Sequence, residues 1–160
     1  MPISVIVDWY GPYKSFEEFR ADAAQEQRGR WLYAGVDKSA GRLACRYLGL
    51  STSPGTRFQY HHVLTETPFD EYYLGEIVTA GLAGRRKSVH PADLSIAENA
   101  LLVHLDSRMN KTNKNDPEDC VSIFSRFFDK KNPEKPRKDR AWVPELLAYN
   151  SWSNEWTWTM

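Results

Sequence analysis

The stretch CRYLGLSTSPGTRFQYHH, residues 45–62, changes its rule halfway along. Arg46-Tyr47-Leu48-Gly49-Leu50-Ser51 has the aromatic and aliphatic content of a strand and ends in small residues that favour a turn. From about Gly55 to Leu64 the chain reads as a helix, with Ser53 or Thr56 able to cap it. Arg57 and His61 stand four apart there and share a face. A strand tyrosine is thus followed by an arginine and a histidine one helical turn apart.

The chain around this stretch is 160 residues long, the size of one domain with a real core. Its formal net charge is zero, so overall charge points to no nucleic-acid partner. No apolar run is long enough to span a bilayer, and the start does not read as a signal peptide. Cys45 and Cys120 lie far apart without metal-type spacing, which reads as a reduced, cytoplasmic protein. The charge is uneven, however. Between Arg126 and Arg140 seven basic residues, Lys135, Arg137 and Lys138 among them, face three acids, so a neutral total can conceal a basic face. Trp142, Trp152, Trp156 and Trp158 crowd the last twenty residues.

Upstream, ISVIVDW (3–9) is a strand that Gly11-Pro12 should end. Ser15 with Glu18 makes a capping box for a helix to about Gln27. WLYAGV (31–36) and LACRYLGL (43–50) are strands joined by the short connection Lys38-Ser39-Ala40-Gly41. Downstream, EYYLGEIVTA (71–80) alternates as a strand, and Pro91 opens a helix to about 105. Leu94, Ala97, Leu101 and Leu105 form that helix's apolar stripe, and Glu98 falls inside it. A carboxylate facing a core is costly unless it is paired, metal-bound or able to reach solvent at the stripe's edge. CVSIFSRFF (120–128) fits helix or strand, KKNPEKPRKD a loop, VPELLAY a short helix and SWSNEWTWT an edge strand.

Taken in order, these residues resemble the GIY-YIG nuclease family. Tyr47-Leu48-Gly49 matches its second tripeptide. Trp31-Leu32-Tyr33 matches the first, keeping the tyrosine and losing the glycine. Arg57 and His61 fall where the family's helix residues would, Glu98 where its metal-binding glutamate would, and Asn110 resembles the asparagine that closes its core. The resemblance covers residues 31–114. It implies an α/β (α+β) fold with a small central antiparallel sheet flanked by helices. Residues 1–30 would be an N-terminal strand and helix, and 115–160 a basic, Trp-rich extension, all within a single domain.

It also implies function. A metal-dependent endonuclease would hydrolyse DNA phosphodiester bonds, with RNA left open as a substrate. Charge builds on the phosphoryl oxygens during cleavage, and Arg57 offers a forked donor for it. Glu98 would be the protein ligand of magnesium or manganese, hard cations that prefer oxygen. Tyr33, Tyr47 and His61 would share the removal of a proton from the attacking water. Asn110 and Lys111 would contact substrate, and the local excess of positive charge adds Lys135, Arg137 and Lys138 to them. Small family members resemble dimers, which implies a homodimer. Each residue also has a plainer role open to it, the tyrosines as strand aromatics and the histidines as surface residues. The lost glycine leaves room for a catalytically degenerate nucleic-acid-binding relative. The Trp-rich end leaves room for a protein- or carbohydrate-interaction module.

Overall fold

Alternation along the first strand sets up the whole architecture. In β1 (Ile3–Tyr13), Val5, Val7 and Trp9 are fully buried on one face, while Ser4, Ile6 and Tyr10 on the other are open or half-buried. The computed structural model describes residues 3–26, 29–59, 61–78, 91–105, 109–110, 115–129, 132–137 and 142–160. Gly11-Pro12 does not end β1. The ladder shifts register between Tyr10 and Tyr13 and resumes at Tyr13 opposite Tyr72, where the tyrosine ring is buried.

Helix α1 (Phe16–Ala23) starts at Ser15, whose hydroxyl accepts the Glu18 N–H at 3.2 Å. The Glu18 carboxylate reaches back to the Lys14 N–H at 3.3 Å, one residue before its capping-box partner. The helix is shorter than its sequence suggests, and Gln27 lies outside the described residues. Strands β2 (Trp31–Ser39) and β3 (Arg42–Ser51) form the expected hairpin. It turns at Ala40 and Gly41, both at positive φ (49° and 77°), as a two-residue hairpin loop requires.

The single helix expected over 55–64 is two short ones, α2 (Pro54–Arg57) and α3 (His62–Glu66). The break lets Phe58 drop into the core, fully buried against the rings of Phe19 and Tyr33. Next come β4 (Glu71–Val78) and α4 (Pro91–Leu105), the latter with the bounds read from sequence. Ala97 and Leu101 of its stripe are fully buried, Leu105 partly.

The C-terminal third departs most from expectation. The ambiguous 120–128 stretch is a strand, β5 (Val121–Asp129), and part of the charged loop is β6 (Asn132–Arg137), paired with β5. The helix expected in VPELLAY is instead β7 (Leu146–Asn150), because Leu147 and Tyr149 alternate inward while the strand pairs with β5. Only β8 (Glu155–Thr159) is the edge strand it reads as.

The protein is therefore mixed α/β, but its sheet is not small. Among the described residues eight strands join in the order β3-β2-β4-β1-β5-β7-β8, with β6 beside β5. All pairs are antiparallel except β1 with β5. One face buries Val7, Trp9, Leu32, Leu48 and Ile123 with α4 and Trp142. The other buries Tyr33, Phe58, Leu74 and Tyr72 with α1 and the short helices. No helix among the described residues is long and apolar enough to cross a membrane.

Among the described residues, two buried carboxylates of this frame have close cationic partners. Glu71, with no exposed surface, meets Lys14 Nζ at 2.5 Å and accepts the Tyr73 hydroxyl at 2.6 Å. Arg126 donates twice to Asp8, at 2.7 and 2.8 Å, and lies over the Phe128 ring. That fork commits Arg126 to a carboxylate rather than to a phosphate track.

Candidate active site at the edge of the sheet

Antiparallel pairing of β2 with β3 places Tyr33 opposite Gly49 and Gly35 opposite Tyr47. Both tyrosines therefore point to one face, with ring centroids 6.1 Å apart. The glycine of Tyr47-Leu48-Gly49 has a steric cause. A Cβ at position 49 would stand 2.5 Å from the Tyr33 Cζ and hydroxyl oxygen, so only glycine lets that ring lie across β3. Gly49→Ala is expected to push Tyr33 aside. It should cost about 1–3 kcal/mol of stability by overpacking, read in a denaturant melt, and shift the tyrosine absorbance.

His61 is not on a helix face shared with Arg57, as the spacing suggests. It is the N-cap of α3, and its Nδ1 accepts the Leu64 N–H at 3.3 Å. A backbone N–H can only donate, so Nδ1 holds no proton, and the neutral ring carries its proton on Nε2. That nitrogen lies 3.0 Å from the Tyr33 hydroxyl and 3.1 Å from the Tyr47 hydroxyl. The cap bond thus fixes the tautomer that presents an N–H to both tyrosine oxygens.

Arg57 closes α2 and is exposed, yet its guanidinium lies near enough to the Tyr33 hydroxyl to pull that pKa down and to have its own raised in return. Burial raises the Tyr33 pKa, while Arg57 and the Tyr47 hydroxyl pull it back. Tyr47 is raised chiefly by burial and then by Tyr33. The two rings differ in access, since Tyr33 is fully buried and Tyr47 only half so.

Glu98 arrives from the other layer. Helix α4 packs on the sheet face opposite the tyrosines, so the five residues do not share one layer. They meet electrostatically beside β3, the terminal strand, against which α4 packs. Burial pushes the half-buried Glu98 carboxyl up to about 7, and only Arg57 pulls the other way. The Glu98 charge in turn raises both tyrosines. Such an under-compensated oxygen donor suits a hard cation that keeps water in most of its shell. Among the described residues, no three His, Cys, Asp or Glu side chains gather into a closed metal cage.

The other residues expected to contact substrate are scattered. Asn110 spends both amide atoms on the β3 edge, accepting the Leu48 N–H at 3.0 Å and donating to the Leu48 carbonyl at 2.6 Å. Met109 donates its N–H to the Arg46 carbonyl beside it. Together they hold the strand that carries Tyr47. Lys135 is exposed on β6, far along the sheet order from β3, and Arg137 belongs to the same strand. Lys111 and Lys138 lie outside the described residues. Trp31, where the resemblance read from the sequence loses its glycine, is buried opposite Ser51. Phe58, packed edge-on against Tyr33 at 4.8 Å, was invisible in a stretch read as continuous helix. Comparison with protein-family models, curated proteins and solved structures finds no match to this chain.

Proposed function

We propose that this chain is a divalent-metal-dependent endonuclease of GIY-YIG type that hydrolyses DNA phosphodiester bonds. The observation that carries the proposal is His61 Nε2 bridging the hydroxyls of Tyr33 and Tyr47, beside which the Arg57 charge lowers the Tyr33 pKa. A pair of hydroxyls facing the His61 N–H, with the Arg57 charge nearby, is suited to losing one proton and holding the resulting phenolate, which can then accept a proton from the attacking water.

The roles follow from access and protonation. His61 has no free lone pair in this tautomer, so it orients and stabilises rather than accepting the proton. The acceptor is the tyrosine pair once one of its hydroxyls has ionised, Tyr47 being its solvent-reaching member. Arg57, exposed and forked, serves both the Tyr33 oxygen and a phosphoryl oxygen. Glu98 would hold magnesium or manganese, which when bound supplies charge neutralisation and a more acidic water.

Supercoiled plasmid with magnesium is the test. Nicked or linear product should appear, and its rate should depend on pH in a defined way. From about pH 5 to about 7 the rate should climb roughly tenfold per unit, as Glu98 loses the proton that a cation must displace. Above that it should go on rising, because both tyrosines remain protonated through neutrality. No cleavage with either metal at about pH 8, beside intact DNA binding, would leave the degenerate relative as the reading.

A further inference from the structure

Beside Tyr47 the hairpin carries one residue too many. Gly35 pairs with Tyr47 and Val36 with Cys45, so Arg46 has no partner across the ladder and forms a β-bulge. A bulge takes a side chain out of the strand's alternation and re-aims it. Arg46 Nη1 stands 3.7 Å from the Asp37 carboxylate, and Asp37 follows Tyr33 and Gly35 at two-residue steps along β2. The Arg46 guanidinium therefore lies on the face that bears Tyr33 and Tyr47. The bulge itself is held in place, because the Arg46 carbonyl accepts the Met109 N–H at 3.1 Å.

The hydrogen bonding of this guanidinium is incomplete. Its Nε is buried and has no hydrogen-bond partner among the described residues. The Asp37 contact is too long for a hydrogen bond, and the other Asp37 oxygen already accepts the Asp70 N–H at 3.1 Å. Arg126, in the same sheet, is satisfied by contrast, with bonds of 2.7 and 2.8 Å to Asp8. The Arg46 side chain is 40% exposed, so its outer end is open to a ligand while its inner donor lacks an acceptor. Turning the guanidinium away from Asp37 would bring Nε and an outer nitrogen together as one fork, the geometry that suits a phosphate.

We propose that Arg46 is a further substrate-binding residue, which holds the phosphate next to the scissile one on the same DNA strand. The identity of that ligand rests on the nuclease reading, whereas the open donor does not. Consecutive Cα atoms are about 3.8 Å apart, and successive phosphates of one strand climb about 3.4 Å along the duplex. An arginine adjoining Tyr47 is thus placed one phosphate away from the group that Tyr47 attends. Arg57 meets the scissile phosphate from α2, and Arg46 meets its neighbour from β3. Asp37 keeps the guanidinium nearby until the phosphate offers it two short, parallel bonds.

Arginine Nε–H groups give their own signals in nitrogen-correlated proton spectra, so the full chain without metal can be titrated with thymidine 3′,5′-bisphosphate. The Arg46 signal should shift saturably by about 10 mM, since one fork on a small ligand is worth millimolar affinity. Asp37→Asn, which keeps an acceptor for the Asp70 N–H, should tighten that titration several-fold. With duplex DNA, Arg46→Met keeps the stem and loses the charge. It should bind about tenfold more weakly, and the slope of log K against log salt should fall by about 0.9, one phosphate contact. In plasmid cleavage KM should rise with kcat little changed. The gain from Asp37→Asn should vanish in the Arg46→Met background. An arginine that only braces the bulge would lower the Tm and leave the salt slope alone. A chain that never cuts DNA yet shifts its Arg46 signal loses the nuclease reading and keeps the phosphate site. A chain that cuts, with the Arg46 signal unmoved or the salt slope unchanged in Arg46→Met, loses the site alone. Should Arg46→Met fail to fold, the titration of the wild type decides, and an unmoved Arg46 signal overturns the proposal.

Discussion

Glu98→Gln is expected to fold and to lose plasmid cleavage by at least about a thousandfold, close to 4 kcal/mol of barrier. The amide keeps the size of the side chain but is a far poorer ligand for a hard cation. DNA affinity without metal should hold or rise, because a carboxylate near phosphate has gone. Stability gives an independent readout. With its folded-state pKa near 7 against an ordinary 4.5, Glu98 favours the folded state most below about pH 4.5. That contribution is lost as pH rises through about 7, where the buried carboxylate stays ionised. Thermal melts should therefore show Glu98→Gln more stable than wild type at about pH 8 and little different at about pH 4. Magnesium should raise the wild-type Tm at the higher pH and leave that of the variant unmoved. A Glu98→Gln protein that cuts at the parent rate would remove this residue from the mechanism.

Arg57→Ala should slow cleavage by about a hundred- to a thousandfold, the usual loss when a fixed donor to developing charge is removed. Its exposed side chain contributes little to packing, so the melt should barely change. The pH profile separates catalysis from mere damage. Arg57 is what lowers the Glu98 pKa, so without it the acid limb should move to higher pH. Arg57→Lys restores the charge without the fork and should return the limb toward its original position, while recovering only part of the rate. An Arg57→Ala protein with an unmoved limb would show that the guanidinium and Glu98 do not act on each other.

How well each part could be read in the sequence follows the range of the forces involved. The Ser15 cap, the Ala40-Gly41 turn and the 91–105 helix depend on neighbours a few residues away, and they stand where residue type places them. The tyrosines of β2 and β3 were legible for the same reason, because a short hairpin sets their register. His61 was legible as a residue but not as a geometry. Spacing put it on Arg57's helical face, whereas burial of Phe58 splits that helix and makes His61 a cap.

Composition and periodicity thus determined a mixed α/β chain, the hairpin carrying Tyr33 and Tyr47, and the helix bearing Glu98. Tertiary structure alone decided that β1 joins β5 in parallel and extends the sheet to eight strands. It alone turned VPELLAY from a helix candidate into β7, since an apolar run of that length takes its form from the strand it pairs with. The electrostatic coupling of Glu98 to Arg57 likewise belongs to packing, because α4 and α2 lie in different layers. Local preferences reach a turn or two along the chain, and contacts between layers exist only once the sheet has assembled and buried its faces.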